Sequence, residues 1–169
     1  LEGQNHTITD LHIERPGKGY TGLFSRVGAD GSVENLSIVN SNIQGAWQTG
    51  ALAGENHGKI SRVYSSGRIE GEGNVGGIVG ANNGTVNFSY SRVEVSGVDQ
   101  TGGLIGQNYI AGILSQSYSN GTVQIENTGG GLVGYNKGRV ESVYSISEVN
   151  SESWNYSGSF IGFNPGSIS

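Results

Sequence analysis

The sequence has no cysteine, no methionine and only two prolines among its 169 residues. The absence of cysteine excludes disulfides, metal-binding thiolates and thiol nucleophiles. Charge is also scarce, since Asp, Glu, Lys and Arg make up 14% of the chain and the 9 basic residues are scattered singly among 14 acidic ones. Because phosphate binding needs a concentrated basic face, this composition argues against a nucleic-acid partner.

Long apolar runs are missing as well. No stretch of 18 apolar residues and no basic segment followed by an apolar run occurs, so we expect no membrane span and no signal peptide within these residues. The chain begins with Leu1 where an intact precursor begins with Met, and we therefore interpret it as a fragment of a larger protein. Its length suits one domain, and we treat residues 1–169 as a single repeat domain.

Glycine, in contrast, is abundant, with 31 residues, and it marks a repeat. Successive copies are separated by 28, 26, 26, 28 and 28 residues, which is the period of a solenoid. The glycines that align are Gly22, Gly50, Gly76, Gly102, Gly130 and Gly158. We expect an introductory coil over residues 1–20 and repeats that start near positions 21, 49, 75, 101, 129 and 157.

Further columns follow each of these glycines. The first is apolar and consists of Phe24, Leu52, Ile78, Leu104, Leu132 and Phe160. The next is Gly54, Gly80, Gly106, Gly134 and Gly162, with Arg26 at this position in the first repeat. Two residues later comes Asn56, Asn82, Asn108, Asn136 and Asn164, and the fourth repeat then carries a two-residue insertion around Tyr109 and Ile110. We predict that Leu52, Ile78, Leu104 and Leu132 are buried in one inward column, because one repeat cannot bury its own apolar side.

The segments between these columns are short, rich in β-branched and aromatic residues, and bounded by Gly, Asn or Ser, without helical periodicity. The sequence therefore predicts an all-β, parallel β-solenoid, or β-helix, of about five to six coils of 26–28 residues. A propeller blade needs about 40 residues. The crossover rule predicts a right-handed solenoid. We assign the recurrent Gly-x-Asn-x-Gly phrase to corners, at which Gly80 and Gly106 adopt positive φ and Asn tolerates the same region.

The run GGLVGYNKGRVESVYSISEV, residues 130–149, and its copies resemble the GLUG motif. This Gly-Leu-hydrophobic-Gly repeat occurs in large exported bacterial proteins, among them adhesin-like surface proteins and zinc metallopeptidases that cleave immunoglobulin A. The resemblance covers almost the whole chain. It implies a bacterial protein that is extracellular or on the cell surface, and it supplies no activity of its own.

Residues that could carry chemistry are few. None of His6, His12 and His57 belongs to a His-Glu-x-x-His zinc motif, so the active site of the immunoglobulin-cleaving relatives is missing from this chain. The three aspartates, Asp10, Asp30 and Asp99, are too few for a calcium-binding solenoid or for the acid cluster of a β-helical polysaccharide hydrolase. We expect no catalytic residue, no metal site and no cofactor.

The candidate ligand-contact residues are Tyr64, Tyr90, Tyr118 and Tyr144, which occupy equivalent positions in four successive repeats. Their chain neighbours are small or apolar and suit a narrow interior, so strand alternation predicts that the rings point outward in a stacked ladder. An exposed aromatic stripe is a platform for sugar rings or a protein partner. The alternative is that stacking only stabilises the coils.

These observations favour a non-catalytic structural or adhesive segment of a bacterial cell-surface or secreted protein, acting as a rigid stalk or binding scaffold. Its expected partners are neighbouring repeats of the parent protein and a host glycan or protein ligand. The alternative is an accessory, substrate-positioning domain of a secreted enzyme such as an immunoglobulin A-cleaving metallopeptidase. A polysaccharide-active β-helix is a third hypothesis, which the missing acid cluster disfavours.

Overall fold

The computed structural model describes residues 1–151 and 156–169. Within these residues it contains 22 β-strands and no helix. In chain order the strands are β1 (Glu2–Thr9), β2 (His12–Glu14), β3 (Phe24–Val27), β4 (Ser32–Gln44), β5 (Trp47–Gly50), β6 (Ala53–Asn56), β7 (Lys59–Gly76), β8 (Val79–Asn82), β9 (Thr85–Asn87), β10 (Tyr90–Gly102), β11 (Ile105–Asn108), β12 (Ile113–Ser115), β13 (Tyr118–Ser119), β14 (Thr122–Ile125), β15 (Gly129–Gly130), β16 (Val133–Asn136), β17 (Arg139–Glu141), β18 (Tyr144–Ser145), β19 (Glu148–Ser151), β20 (Ser157–Gly158), β21 (Ile161–Phe163) and β22 (Ser167–Ile168).

The strands stack coil upon coil in two parallel sheets. The smaller sheet has six strands in the order β21-β16-β11-β8-β6-β3, with one strand from each coil, and the larger sheet contains the other sixteen. Every strand pair among the described residues is parallel, including the long pairs of β7 with β4 and with β10. The predicted all-β, parallel solenoid is confirmed, with about six coils. Its handedness and its single-domain boundaries stay predictions.

The predicted apolar column lies at the centre of the core. Leu52, Ile78, Leu104 and Leu132 each have 0% of their surface exposed. Backbone hydrogen bonds link them from coil to coil, since the N–H of each donates to the carbonyl of the next at 2.9–3.0 Å. Burial of such a column stabilises the stack by about 25 cal/mol for each Å² of apolar surface removed from water.

The first coil is shifted by one residue from its expected alignment. The sequence columns placed Phe24 with Leu52 and Arg26 with Gly54, whereas β3 pairs Phe24 with Ala53 and Arg26 with Glu55. The residue opposite Gly54 is therefore Ser25, an exposed residue of the edge strand β3. The shift brings Arg26 to a more open position, where it forms an ion pair with Glu55 at 2.7 Å.

The prediction of positive φ at Gly80 and Gly106 is wrong, since Gly17 and Gly67 are the glycines with positive φ in the described chain. Glycine is required at these two positions for a different reason, which is that two backbone segments approach each other closely within the narrow coil. A Cβ on Gly80 would lie 2.5 Å from Thr49 N, and one on Gly106 would lie 2.5 Å from Val75 N. Real Cβ atoms essentially never come so close, so the requirement for glycine is steric rather than conformational.

The left-handed corners belong to other residues. One column has φ of 50–55° and consists of Tyr20, Gln48, Asn74 and Gln100. A second has φ of 47–54° and consists of Asn35, Arg62, Phe88, Gln116 and Ser142. Each of these two columns therefore keeps its position from coil to coil without being restricted to one residue type.

The asparagine column lies where each strand of the smaller sheet ends, at the corner before the larger sheet, and Asn56 Oδ1 accepts there from Gly58 N–H at 3.1 Å. The predicted corner position is confirmed, the predicted positive φ is wrong, and the same residues form a buried ladder. Asn56, Asn82, Asn108 and Asn136 are fully buried, and none has positive φ. Each Nδ2 donates to the Oδ1 of the next coil at 2.7–2.8 Å, a chain that ends at Asn164. The asparagine ladder thus satisfies amide groups that would be costly to bury alone.

Candidate functional site

The four candidate tyrosines form a continuous column of stacked rings on the larger sheet, which we call the tyrosine ladder. Tyr64 pairs with Tyr90, Tyr90 with Tyr118, and Tyr118 with Tyr144. The ring centres are 4.6, 4.9 and 4.8 Å apart in that order. The rings of the last two pairs are nearly parallel, with interplanar angles of 6° and 4°, while the first pair is tilted by 33°. Four rings in successive coils thus make one continuous stack, in which each inner ring has a neighbour on both faces.

Strand alternation explains why these rings face outward. The residues on either side of Tyr90 and Tyr118 are serines with at most 2% of their surface exposed. Ser65, Ser91 and Ser119 donate hydrogen bonds of 2.5–2.8 Å to the carbonyls of Gly77, Gly103 and Gly131 on the facing backbone. A phenol ring does not fit in this narrow interior, so the intervening tyrosine points away from it.

The tyrosine ladder is accessible along its length. Tyr90 is 38% exposed and Tyr144 is 52% exposed, while Tyr64 and Tyr118 are half-buried. A shallow cleft of about 340 Å³ runs beside it, lined by Tyr64, Tyr90, Ser91, Arg92, Tyr118 and Asn120. Burial, followed by the neighbouring phenols of Tyr144, Tyr90 and Tyr64, raises the pKa of Tyr118. The Tyr118 phenol therefore stays uncharged at neutral pH, and the ladder offers ring edges beside hydroxyl, amide and guanidinium donors.

The ladder begins in the second coil. Ser37 of β4 occupies the equivalent position in the first coil, directly beside Tyr64. Three coil spacings of about 4.8 Å give a strip about 14 Å long. This is the span of two to three sugar rings or of a short extended peptide.

The remaining candidate groups do not converge on a catalytic centre. His57 Nε2 lies 2.9 Å from Glu55, His12 lies 4.0 Å from Glu14, and His6 Nδ1 lies 2.9 Å from the Gly3 carbonyl. Residues 1–151 and 156–169 contain no group of three or more His, Cys, Asp or Glu side chains placed to hold a metal ion. In the same residues no helix is long and apolar enough to cross a membrane.

Sequence reasoning missed two structural contributors. The serines beside the tyrosines recur at every coil, and their alternation with tyrosine was a usable signal, but their bonds to the facing glycine carbonyls were not foreseen. The insertion around Tyr109 and Ile110 was visible as a break in spacing. The spacing alone gave no indication that it borders a cavity.

Comparison with known proteins gives two short sequence matches. No family model matches the chain, so membership of the GLUG family stays a prediction. Over 69 residues the chain is 38% identical to halomucin of Haloquadratum walsbyi, a match that spans 41% of this chain and 1% of halomucin. Over 66 residues it is 38% identical to a "Putative Gly-rich membrane protein" of Evansella cellulosilytica, spanning 37% of this chain and 8% of that protein. The chain thus corresponds to a small part of each relative.

One solved structure shares the architecture over nearly the whole chain. It is the crystal structure of a "putative immunoglobulin A1 protease" from Bacteroides ovatus, with a TM-score of 0.84 and 20% sequence identity. The similarity covers 99% of this chain and 57% of that one. At this identity the match establishes the fold: the chain is a parallel β-solenoid of a kind already seen in a solved protein.

Proposed function

We propose that this chain is a non-catalytic, rigid segment of a surface or secreted protein, and that its tyrosine ladder is a contact face for a glycan or a protein ligand. The observation that carries the proposal is the unbroken, in-register stacking of the coils. The interior of this stack is bonded from one coil to the next by the asparagine ladder. A stack of this kind keeps a fixed length and holds an exposed surface in a fixed orientation.

The surface or secreted location is supported by the names of the relatives, a halomucin and a Gly-rich membrane protein. Each matches only part of this chain, so the location belongs to the proposal. The ligand face is supported by the partial exposure and the regular stacking of the rings, since aromatic side chains with a polar tip suit both sugars and protein surfaces.

A second candidate role is that of an accessory domain which positions substrate for a secreted enzyme. The observation in its favour is the overlap of this chain with 57% of the Bacteroides ovatus structure. In this role the solenoid would hold a substrate on its surface while other parts of the protein perform the chemistry.

Rigidity can be tested by measuring one distance along the stack. His12 and Glu148 stand in the same exposed column, five coil spacings apart. Because the chain has no cysteine, His12→Cys and Glu148→Cys would attach two spin labels uniquely. Pulsed electron spin resonance should then give one narrow distribution near 24 Å, allowing for label length. A broad or multiple distribution would contradict the spacer role.

The contact face can be tested with a screen against glycans and serum proteins. The Tyr118→Ser variant should no longer bind any ligand that contacts the tyrosine ladder. Its melting temperature should differ from that of the parent chain by only a few degrees. Tyr156→Ser, an exposed aromatic residue outside the ladder, is the matched control and should retain the ligand. Binding that is unchanged in Tyr118→Ser would remove the contact role and leave the spacer role.

A further inference from the structure

The fourth coil departs from the others at the turn after its ladder asparagine. In the other coils one residue separates this asparagine from the next glycine, whereas Asn108 and Gly112 are separated by Tyr109, Ile110 and Ala111. The N–H of Gly112 donates to the carbonyl of Tyr109 at 2.8 Å and closes a turn with Ile110 at its tip. Ile110 is 82% exposed, so the insertion projects from the solenoid wall.

The projecting turn is firmly anchored at both ends. Tyr109 N–H donates to the Asn82 carbonyl and Ile113 N–H donates to the Gly84 carbonyl, each at 2.8 Å. On its other side, the Asn108 carbonyl accepts from Lys137 N–H at 2.8 Å. The insertion therefore interrupts no bond between coils, and it adds a fixed ridge to an otherwise regular face.

A cavity of about 380 Å³ lies against this ridge, which we call the insertion cavity. Its lining residues come from four successive coils and are Glu55, Asn83, Tyr109, Ile110 and Lys137. Ala81, in register between Glu55 and Gln107, is fully buried. Tyr109 and Glu55, which belong to coils two apart, line the same cavity. Burial, then the nearby Glu55 and Tyr20, raises the pKa of Tyr109.

The two charged groups that line the insertion cavity differ in whether they already have an ion-pair partner. The Glu55 carboxylate already has two partners, Arg26 at 2.7 Å and His57 at 2.9 Å. The Lys137 ammonium lies 5.0 Å from the centre of the Tyr135 ring, and no carboxylate of the described residues lies within 4 Å of it. An incoming group thus meets one ammonium without an ion-pair partner, in a cavity whose lining carboxylate, Glu55, is already paired with Arg26.

We propose that the insertion cavity binds a single sugar unit that carries a carboxylate. The carboxylate would pair with Lys137 Nζ, the ring would lie against Tyr109 and Ile110, and a hydroxyl would accept from the Asn83 amide. A volume near 380 Å³ suits one such unit. This site is separate from the tyrosine ladder and does not depend on the function proposed for it.

Other ligand classes fit the cavity less well. An extended peptide would need open backbone donors and acceptors, but those of β6, β8, β11 and β16 pair with the adjacent coils. A free sulfate or phosphate ion would favour several converging N–H donors, and the cavity presents one ammonium beside aromatic and aliphatic walls. Those walls match a ring, and the ammonium matches an acid attached to it.

The test is a titration of the ¹⁵N-labelled chain with sodium glucuronate, with glucose and sodium sulfate as comparison probes, followed by NMR. Glucuronate should shift the amide signals of Asn83, Tyr109 and Lys137, with an affinity at least about tenfold higher than that of glucose or sulfate. Deleting Ile110 and Ala111 restores the spacing of the other coils and should abolish these shifts while the rest of the spectrum is retained. Lys137→Met should weaken binding by about tenfold or more, and Lys18→Met, an exposed lysine elsewhere, should leave it unchanged.

Three results would overturn the proposal. One is the absence of shifts at these amides at millimolar glucuronate, and another is equal binding of glucose or sulfate. The third is a Lys137→Met or deletion variant that folds as shown by its spectrum and binds glucuronate as the parent chain does.

Discussion

The asparagine ladder and the tyrosine ladder repeat with the same period but are held by different forces. The asparagines are buried, and each side-chain amide donates to one neighbour while its oxygen accepts from the other. The tyrosines are stacked at 4.6–4.9 Å and keep part of their surface in water. The asparagine ladder belongs to the buried interior of the solenoid, whereas the tyrosine ladder belongs to its surface.

This difference shows that recurrence of a residue does not reveal its role. Removal of a buried asparagine breaks its hydrogen bonds to both neighbouring coils in an interior that water does not fill, and each lost bond costs about 1–3 kcal/mol. Removal of a ladder tyrosine mainly forfeits ring contacts, because the rings are stacked and partly exposed. The interior column should therefore respond to substitution much more strongly than the surface column.

The largest effect is expected beside the asparagine ladder, at Gly106→Val. The new side chain would collide with the backbone of Asn74 and Val75, which cannot move without disturbing the coil below. We expect loss of the cooperative unfolding transition in circular dichroism. Gln124→Val, at an exposed strand position, should unfold at nearly the parent temperature. A folded Gly106→Val chain of normal stability would refute the close backbone approach.

Within the ladder itself, Asn108→Ala should destabilise the fold by about 3 kcal/mol. The change removes the bond from Asn82 Nδ2 and the bond to Asn136 Oδ1, which leaves these atoms with their bonds to backbone groups, among them the Gly84 carbonyl and the Gly138 N–H. Denaturant unfolding would measure this loss. Asn42→Ala, at an exposed position, serves as the control and should cost less than about 0.5 kcal/mol. Equal costs at the two sites would erase the distinction between interior and surface.

On the tyrosine side, Tyr118→Ser should cost only about 1 kcal/mol, the value of lost ring contacts. Tyr118→Phe should be close to neutral, because stacking is retained and the hydroxyl has no essential partner. The same denaturant experiment measures both. A loss of several kcal/mol in Tyr118→Phe would show that the phenol group belongs to the structural interior.

The smallest effect is a dependence on alkaline pH. Burial and the neighbouring phenols raise the pKa of Tyr118 above its ordinary value in the folded chain. The stability that this group contributes is therefore complete below the ordinary tyrosine pKa, near 10, and is lost as the pH rises through the higher folded value. In an NMR titration of ¹³C-labelled tyrosine, Tyr144→Phe should lower the Tyr118 pKa without bringing it to the ordinary value, since burial remains. No change in Tyr144→Phe would contradict the coupling between rings.

Much of the fold was predictable because stacking copies each column directly into space. The recurrence of an apolar residue two positions after glycine gave the core column of Leu52, Ile78, Leu104 and Leu132. Alternation with serine gave the outward direction of the tyrosines. Both inferences need only the period of the repeat and the pleat of a strand.

The remaining features depend on distances that a repeat pattern does not contain. The left-handed corners at Gln48, Asn74 and Gln100 are not restricted to one residue type, so no single residue type marks them. The steric need for Gly80 and Gly106 arises from a facing segment about 30 residues earlier in the chain. The asparagine column was correctly placed at corners, but its burial and its bonds from coil to coil were not predicted, because the preference of Asn for turns is the same whether the side chain is exposed or buried.

Side-chain amide exchange tests the central distinction most directly. In ¹⁵N NMR spectra recorded after transfer to deuterated buffer, the Nδ2 protons of Asn82, Asn108 and Asn136 should persist as long as backbone amides of the core. Those of the exposed Asn42 should vanish within the dead time. Rapid exchange at all four residues would contradict a buried, coil-to-coil hydrogen-bonded ladder.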